Sequence, residues 1–361
     1  MTDREAYVAF NLTDKVGFAT VEKLVAEAGS VAAAWESYPK KVSRTGGEVD
    51  WQAEFERAER FGIVIVTPAD PDYPPQLKTA PGRPLALYVK GDVKALARPS
   101  IAMIGTRRAT SYGLSVANRM SYDLAKSGFA VVSGLALGID AESHRGALEA
   151  GGVTVGVIGS GLDRFYPEEN RVLAREMVSK GGAVVSEFPF GRSADTTTFP
   201  IRNHVVAALA RGVVAVEAPF KSGTLITTGI AADLGRTVMA VPARIDSRTS
   251  AGCLRLIREG ATLVRNADDV IEAVGDLFAG VRAPQSEPEA AAARDPQTPP
   301  YSVEEALVMT HVDEDGISLD ELSRLSGLDI GKVNAIAMSL RIKGFIRFLP
   351  GNRISLLTQR R

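Results

Sequence analysis

The sequence has little of what metal, redox and membrane proteins require. Its 361 residues include one cysteine, Cys253, which excludes an internal disulfide and a site built from several thiolates. The three histidines are scattered along the chain, so neither a metal site nor a bound cofactor is predicted. No apolar run reaches the roughly 18 residues of a transmembrane helix, and the first residues lack the pattern of a signal peptide. The sequence therefore predicts a cytoplasmic protein without membrane contacts.

An excess of charge of one sign is also missing. The 42 basic and 43 acidic side chains give a formal net charge of −1, which excludes a general basic coating for nucleic acid. The end of the chain differs, because residues 341–361 contain six Lys or Arg and no acidic residue. A polyanion would therefore meet local patches of positive charge.

Composition and periodicity divide the chain into four segments. Residues 1–60 predict a small helical domain of the SAM or helix-hairpin-helix type, with a turn at Gly17 and a break at Gly46-Gly47. Residues 61–280 alternate strands and helices, which predicts an α/β core with a Rossmann-like, doubly wound and mainly parallel sheet. Residues 281–300 carry five prolines and are typical of an extended linker.

The last segment, residues 301–361, predicts a winged helix. Capping residues at Ser302 and Ser318 begin two helices, and a third helix over 330–343 carries apolar residues at 333, 336, 337 and 340. A hairpin turning at Pro350-Gly351-Asn352 follows it. Arg347 and Arg353 of that hairpin are candidate contacts to duplex DNA, and protein binding is the alternative for this domain.

Glycine-rich turns follow four of the predicted strands in the α/β core. In a parallel sheet such turns lie at one edge, where backbone N–H groups and helix N-termini attract anions. The turns are residues 105–108, 133–140, 159–163 and 217–224. Arg107 and Arg108 in the first turn add bidentate donors for phosphate oxygens. The sequence therefore predicts several phosphate sites along one sheet edge.

These turns lack both the glycine motif of dinucleotide-binding proteins and the catalytic glutamate of nucleotide phosphoribohydrolases. The dinucleotide motif G-x-G-x-x-G is missing, because Gly159-Ser160-Gly161 is followed by Leu162-Asp163-Arg164, with arginine at the place of the third glycine. The Ser222-Gly223-Thr224 turn is similar to that of nucleotide phosphoribohydrolases, but Thr227 stands where those enzymes have a glutamate. A nucleotide-handling enzyme is the alternative function, weakened by that missing base, and no catalytic residue is predicted.

Two helix starts supply further candidate residues. Phe199-Pro200 is expected to open a helix with Arg202 and Asn203 in its first turn, where they can hold a phosphate or ribose and His204 can add a base stack. The alternative is that Asn203 caps the helix and Arg202 pairs with a carboxylate. At the other helix, Asp140 is expected to balance the first turn and His144 to be packed in the core.

Aromatic residues lie in or beside the same turns. Stacking on such rings is the usual means of binding single-stranded nucleic acid, although aromatics at strand ends often belong to the core. The aromatic residues are Tyr112, Phe165, Tyr166, Phe188, Phe190, Phe199 and Phe220. Together with the phosphate sites they favour a single strand along the sheet edge.

The motifs of the α/β core, taken in order, resemble those of the bacterial DNA-processing protein A (Smf/DprA) family. The resemblance covers residues 60–265 and rests on nine motifs in order. They are Gly105-Thr106-Arg107; Ser133-Gly134 with Ala136, Gly138-Ile139-Asp140 and His144; Gly159, Gly161-Leu162-Asp163; Tyr166-Pro167 with Asn170; Ser186-Glu187; Phe199-Pro200 with Arg202-Asn203; Val216-Glu217-Ala218; Ser222-Gly223-Thr224; and Gly252-Cys253 with Leu256-Ile257 and Gly260-Ala261.

The resemblance implies a non-enzymatic protein that binds single-stranded DNA, protects incoming strands during natural transformation and loads a RecA-type recombinase. It also implies a homodimer. Carried over by position, the DNA-binding residues would be Arg107, Ser133, Gly134, Gly138, Gly161, Arg202, Asn203, Ser222 and Gly223.

Three positions depart from the family pattern. His204 replaces the second arginine of Arg-Asn-Arg, which predicts weaker DNA binding near neutral pH. Ala243 replaces the glycine of Val-Pro-Gly, and Leu254 replaces the asparagine of Gly-Cys-Asn. These two changes are expected to alter local turns.

Overall fold

The computed structural model describes residues 1–39, 41–44, 46–275, 303–313, 316–342, 345–349 and 353–356. The chain forms two compact units, Met1–Ala283 and Pro284–Arg361. The predicted linker, the Ser302 cap and the turn at 350–352 lie outside the described residues, and the four predicted segment boundaries stay predictions. Within the described ranges, no helix is long and apolar enough to cross a membrane.

Four helices begin the first unit: α1 (Asp3–Leu12), α2 (Phe18–Ala28), α3 (Val31–Ser37) and α4 (Trp51–Phe61). Thr2 and Glu5 form a capping box at α1, and Gly17 is the N-cap of α2, as the turn prediction required. The helices close around Phe10, whose ring meets Trp35 edge to face at 5.1 Å between centroids. Gly46 and Gly47 have φ of 83° and 86°, so the predicted break is confirmed.

The sheet that follows has nine strands. They are β1 (Val64–Val66), β2 (Leu87–Gly91), β3 (Ser100–Gly105), β4 (Ala130–Ser133), β5 (Thr154–Val157), β6 (Ala183–Ser186), β7 (Gly212–Glu217), β8 (Thr237–Ala240) and β9 (Thr262–Leu263). Their spatial order is β1-β2-β6-β5-β4-β3-β7-β8-β9. The seven strands from β6 to β9 are parallel, and β1 and β2 add an antiparallel edge. This arrangement confirms the Rossmann-like prediction.

Helices cover both faces of the sheet. They are α5 (Pro75–Lys78), α6 (Ser111–Lys126), α7 (Ile139–Glu149), α8 (Arg171–Ser179), α9 (Thr198–Leu209), α10 (Gly223–Asp233), α11 (Ala251–Arg258) and α12 (Ala267–Val274). Successive residues of β3 serve opposite faces, as expected for a strand buried on both sides. Ala102 and Ile104 pack in the core beneath α9, whereas Ile101 and Met103 pack in the core beneath α6 and α12.

The topology reverses direction beside β3. From β3 the chain builds β4, β5 and β6 to one side, then crosses back to lay β7 against the other side of β3. The loops leaving β3 and β7 therefore diverge, which leaves a crevice beyond the carboxyl ends of these two strands. Such a switch point is the usual ligand site of an open α/β sheet.

The N-terminal helices are fastened to this sheet by polar contacts as well as by packing. The Glu54 carboxylate of α4 accepts a hydrogen bond from the Phe190 N–H at 2.9 Å, and the Asn11 amide of α1 donates to the Glu187 carbonyl at 3.3 Å. Burial raises the pKa of Glu54 above its ordinary value, and the hydrogen bond from Phe190 opposes that shift. The helices also pack against the β1–β2 edge, since Val8 and Ala58 share one buried cluster with Ile65 and Tyr88.

The second unit is a winged helix. It contains α13 (Val303–Met309), β10 (Ile317–Ser318), α14 (Leu319–Ser326), α15 (Ile330–Ile342), β11 (Ile346–Leu349) and β12 (Arg353–Leu356), with antiparallel strand order β10-β12-β11. Ser318 caps α14 by accepting from the Glu321 N–H at 3.2 Å. The four apolar residues predicted to line the third helix are all buried: Val333, Ile336, Ala337 and Leu340. The Arg353 guanidinium donates to the Gly316 carbonyl and so ties the wing to β10.

Candidate functional site

A cavity of about 540 Å³ occupies the switch point. Its wall comes from the turn after β3, the turn after β4, one side of α9 and the turn that leads from β7 into α10. The residues lining it include Thr106, Arg107, Arg108, Gly134, Ala136, Asp140, Phe199, Arg202, Asn203, Lys221, Ser222, Gly223, Thr227 and Thr249. Elements far apart in the sequence therefore converge on one site.

Six of the nine predicted DNA-binding residues line this cavity. They are Arg107, Gly134, Arg202, Asn203, Ser222 and Gly223. The three glycine-rich turns after β3, β4 and β7 are thus brought together. The fourth predicted turn, after β5, contributes Gly159 to a smaller adjoining cavity of about 70 Å³ beside Tyr166 and Phe199.

The other three predicted residues do not line the cavity. Ser133 is fully buried, and its hydroxyl donates to the Met103 carbonyl at 2.5 Å. Gly138 has φ of 77°, and a Cβ there would overlap the Thr106 carbonyl oxygen. Gly161 donates its N–H to the Arg192 carbonyl, and a Cβ there would lie 2.5 Å from the Pro189 carbonyl oxygen. Each supports the turns from behind, and their DNA contacts stay predictions.

Arg202 forms the buried floor of the cavity. Only 5% of the residue is exposed, and its Nη1 donates to the carbonyls of Gly134 and Val157, the latter at 2.7 Å. Burial lowers the pKa of Arg202 to about 10, against the opposing effect of Asp140, so the guanidinium remains charged at neutral pH. The guanidinium therefore holds the ends of β4 and β5 in place from inside the protein.

Asp140 is the counter-charge of this floor. Burial raises the pKa of Asp140, whereas the Arg202 charge and a hydrogen bond from the Ala136 N–H at 3.4 Å lower it. The pair leaves no room for a side chain at Gly134, whose Cβ would overlap Arg202 Nη1 and lie 2.7 Å from Asp140 Oδ2. Glycine at position 134 is therefore required by packing.

The start of α9 differs from the sequence prediction. The helix begins at Thr198, so Arg202 and Asn203 lie in its second turn, and the first-turn placement was wrong. The His204 ring does not line the cavity but lies beside Pro81 and Gly82. Burial lowers the pKa of His204, so the imidazole is neutral at pH 7.

The exposed rim of the cavity carries the cations. Arg107, Arg108 and Lys221 are exposed, and none of them forms an ion pair with a residue in the described part of the chain. The Arg107 guanidinium lies 4.9 Å from the centre of the Phe199 ring, and the centres of the Phe199 and Tyr166 rings are 6.2 Å apart. The sequence reasoning passed over Lys221, although its place directly before the Ser222-Gly223 turn was a usable signal.

The predicted stacking residues separate into two groups. Phe188 and Phe190 are each 6% exposed and belong to the core. Tyr112, Tyr166 and Phe220 are 56%, 48% and 55% exposed. This second group, with the partly exposed Phe199, presents surface beside the cavity turns. Phe165 is also partly exposed, but it packs against the core beside α8 and lines a different groove.

The N-terminus of α10 faces the cavity. Ser222 is its N-cap and accepts from the Thr224 N–H at 3.2 Å. A Cβ at Gly223 would meet nothing within 4 Å, so neither packing nor a positive φ requires glycine at this position. The missing side chain instead leaves the first helical N–H open to an anion.

Glu217 at the end of β7 joins three of the surrounding loops. Its carboxylate accepts from the Thr110 N–H at 2.9 Å, from the Thr110 hydroxyl at 3.0 Å and from the Thr249 hydroxyl at 2.6 Å. These bonds fix the start of α6 and the loop after β8 against the β7 turn. Glu217 therefore shapes the cavity wall, a role that the sequence motif alone did not reveal.

No catalytic pair is formed at this cavity by the residues described as lining it. Asp140 is the one carboxylate among them, and it is committed to Arg202. Thr227 is 4% exposed, and its hydroxyl lies 3.4 Å from the Gly223 carbonyl. Over the described ranges, no group of three or more His, Cys, Asp or Glu could hold a metal ion.

His144 is packed in the core behind the cavity, as expected. Its Nδ1 lies 2.6 Å from the Thr154 hydroxyl, which donates to the Val131 carbonyl at 2.7 Å. Because that hydroxyl proton is already used, Nδ1 must donate, and we assign the Nδ1–H tautomer on this ground. Burial, with the Arg202 and Arg145 charges, lowers the pKa of His144 to about 3.

Because of this low pKa, the folded state becomes less stable as the pH is lowered. The unfolded chain binds a proton at His144 near pH 6.5, but the folded chain does not until about pH 3. The free energy of unfolding is therefore expected to fall by about 2 kcal/mol between pH 7 and pH 5 from this group. Denaturant unfolding at several pH values measures it, and His144→Gln should flatten the curve. An unchanged slope in that variant would assign the dependence to other groups.

Comparison with known proteins agrees with this architecture. A family model described as "DNA recombination-mediator protein A" matches residues 64–275, and one described as "DprA winged helix domain" matches residues 287–352. Protein Smf of Synechocystis sp. is 35% identical over 315 residues, which cover 80% of this chain and 79% of that protein. Protein Smf of Escherichia coli is 33% identical, with 80% and 76% covered.

Two solved structures extend the comparison. The X-ray structure of DNA processing protein A from Streptococcus pneumoniae has a TM-score of 0.63 and 30% identity, and the match covers 75% of this chain and 97% of that one. A structure from Helicobacter pylori, described as showing the single-stranded DNA binding mode of DNA processing protein A, has a TM-score of 0.52 and 28% identity, with 58% and 94% covered. With more than half of its length matched by the family model, the chain belongs to the DNA recombination-mediator protein A family of DNA-processing proteins.

Proposed function

We propose that this chain binds single-stranded DNA in the switch-point cavity and acts on it as a recombination mediator, without turning it over. The observation that carries the proposal is the cavity rim, where the exposed cations Arg107, Arg108 and Lys221 surround the open N-terminus of α10. Family membership and the description of the Helicobacter pylori relative support the same ligand.

Each part of the rim has a separate task. Arg107 and Lys221 neutralise neighbouring phosphates, and the Gly223 N–H donates to a phosphate oxygen between them. An unpaired base stacks on Phe199 and Tyr166. The bases of a duplex cannot do so, because they are already stacked inside the double helix. Arg202 acts as a positioning residue that fixes the turns carrying these groups.

Removal of the rim cations tests this proposal. We expect Arg107→Ala and Lys221→Ala each to weaken binding of a labelled single strand by about tenfold, through loss of one phosphate contact. The slope of log affinity against log salt should become shallower by about 0.7 for each contact removed. Fluorescence anisotropy at several salt concentrations measures both quantities.

Arg119→Ala is the matched control, because the Arg119 side chain is 80% exposed on α6 and does not line the cavity. It should bind like the unchanged protein. If the Arg107→Ala, Lys221→Ala double variant bound single-stranded DNA as tightly as the unchanged protein, the cavity would not be the DNA-binding site.

Gly223→Ala tests whether the strand approaches the α10 backbone. The variant should fold normally, since an added Cβ meets no protein atom within 4 Å. The methyl group would nevertheless occupy the space in front of the N–H, so we expect affinity for the single strand to fall about fivefold or more. Thermal unfolding and anisotropy on the same sample separate the two effects, and unchanged affinity would contradict an approach at this point.

A nucleotide-handling enzyme on the same sheet is the second candidate function. The similarity of the Ser222-Gly223-Thr224 turn to phosphoribohydrolases favours it, while Thr227 at the position of their glutamate opposes it. Incubating purified protein with nucleoside monophosphates and separating the products decides between them. Release of free base would replace the binding proposal with the enzymatic one.

The remaining expectations concern partners and location. We propose that the bound strand is passed to a RecA-type recombinase in the cytoplasm and that the chain acts as a homodimer. The short β9 strand, with Leu263 44% exposed at the sheet edge, supports an interface there. Static light scattering with and without a recombinase tests both the homodimer and its complex with the recombinase. Arg347 and Arg353 remain candidate contacts of the wing to duplex DNA.

A further inference from the structure

Two arginine–phenylalanine pairs lie near the cavity, each between a residue of a loop and a residue of a helix. Arg107 lies over Phe199 at 4.9 Å from the ring centre, and Arg255 of α11 lies over Phe220 at 5.4 Å. The first pair lines the cavity itself. The second pair uses the same chemistry but has no role in the site described so far.

Phe220 lies directly on the rim of the cavity. Its chain neighbours Pro219 and Lys221 both line the cavity, whereas its own ring is 55% exposed outside it. The loop from β7 to α10 therefore carries a phosphate-binding cation and an exposed ring side by side. A large aromatic side chain left half in water next to a ligand site is typical of a stacking surface.

Arg255 is held in position over this ring. Its Nε donates to the Glu259 carboxylate at 2.7 Å, one turn further along α11. The Nη groups make no hydrogen bond to any residue that the structure describes. Stacked and anchored in this way, the guanidinium loses little freedom when its Nη groups donate to a ligand oxygen.

The surface continues beyond this pair. A second groove of about 560 Å³ runs between α10 and α11, and Arg255 forms part of its wall together with Leu225, Thr228 and Gly229. Arg255 thus stands between the end of the cavity rim and the start of this groove. A chain leaving the cavity past Lys221 meets Phe220 first and Arg255 next.

We propose that Phe220 and Arg255 form a second stacking site for the DNA strand, outside the cavity, which binds a base on the Phe220 ring and the adjoining phosphate at the Arg255 guanidinium. This inference rests on the proposed function and adds to it a direction: the strand runs from Tyr166 and Phe199, across the cavity, to Phe220 and into the α10–α11 groove. Short strands fill the cavity alone, and longer strands reach the second site.

A length series separates the two sites. Anisotropy of labelled oligothymidylates from about 5 to about 20 nucleotides covers the range of such binding sites. For Phe220→Ala and Arg255→Ala we expect unchanged affinity for the shortest strands that bind and about tenfold weaker binding of the longest. Arg258→Ala, an exposed arginine on the same helix, is the control and should match the unchanged protein at all lengths.

A direct readout comes from Phe220→Trp. Stacking of a base on the new indole should quench its fluorescence with long strands and leave it unchanged with short ones, after subtraction of the signal from Trp35 and Trp51 in the unchanged protein. Equal affinities at every length for Phe220→Ala, or no quenching by long strands, would overturn the second site. The second site would also be overturned if Phe220→Ala changed the molar mass measured by light scattering but left DNA binding intact. Phe220 and Arg255 would then form a contact to a second copy of the chain. Failure of the proposed function looks different, since Arg107→Ala would then leave the shortest strands unaffected.

Discussion

Replacement of Arg202 by methionine is expected to lower the free energy of unfolding by about 3–5 kcal/mol at pH 7. The substitution removes the guanidinium that satisfies the Gly134 and Val157 carbonyls and leaves Asp140 ionised in the protein interior. Most of the loss should come from that unpaired carboxylate. It should therefore shrink as the pH is lowered, because protonated Asp140 needs no counter-charge.

Denaturant unfolding at pH 7 and pH 5 measures this effect. Arg107→Met is the matched control, because Arg107 lines the same cavity but is exposed, and its change should stay within about 0.5 kcal/mol. An Arg202→Met variant as stable as the control would mean that the floor of the cavity does not depend on the carbonyl contacts of Arg202 or on its charge beside Asp140. Weak DNA binding by an Arg202 variant would report a displaced turn as readily as a lost contact, so Arg107 and Lys221 are the better probes of binding.

Gly138→Ala is expected to be the second large effect, at about 3 kcal/mol or more of lost stability. Two costs combine there. The residue has φ of 77° and ψ of −125°, a conformation that costs a side chain about 1–3 kcal/mol. A Cβ would also overlap the Thr106 carbonyl and lie 2.8 Å from the Arg107 carbonyl oxygen, and such overpacking costs about 1–3 kcal/mol.

Gly151→Ala separates these two costs. Gly151 also has a positive φ, of 70°, but a Cβ there meets nothing within 4 Å. Its loss of stability should be about 1 kcal/mol, from backbone conformation alone. The difference between the two variants contains the cost of the close approach between the turns after β4 and β3, together with any extra backbone strain from the ψ of −125° at Gly138. Equal losses would show that this close approach costs nothing.

Local patterns were sufficient to predict the elements of the fold. Residues 61–280 were expected to alternate strands and helices, and all nine strands of the sheet lie within that range, because each is a short apolar run between turn residues. The third helix of the wing was predicted from its apolar spacing, and its four apolar residues are buried. The doubly wound, mainly parallel sheet was expected from the alternation of strands and helices, whereas the order of its strands was not predicted.

The roles of individual site residues depended on contacts between distant segments. An arginine in a helix is most often exposed, and nothing near Arg202 in the sequence indicates that carbonyls at the ends of β4 and β5 would enclose it. The His204 ring likewise lies beside Pro81 and Gly82, far away in the chain. Glycine motifs were informative about where turns meet, but not about whether packing or a ligand requires the glycine: Gly134 is packed and Gly223 is open.

The placement of β7 beside β3 has a consequence for the timing of synthesis. The segment up to β6 carries Arg107 and the β4 turn, but the other half of the cavity wall is translated only with α9, β7 and α10. A nascent chain on the ribosome therefore has no complete DNA site until β7 has emerged and paired with β3, which is made much earlier. This pairing is a slow step, because the two β-strands are far apart in the sequence. A partly made protein would not capture DNA, and a ligand that binds only the finished site would stabilise this last pairing by mass action.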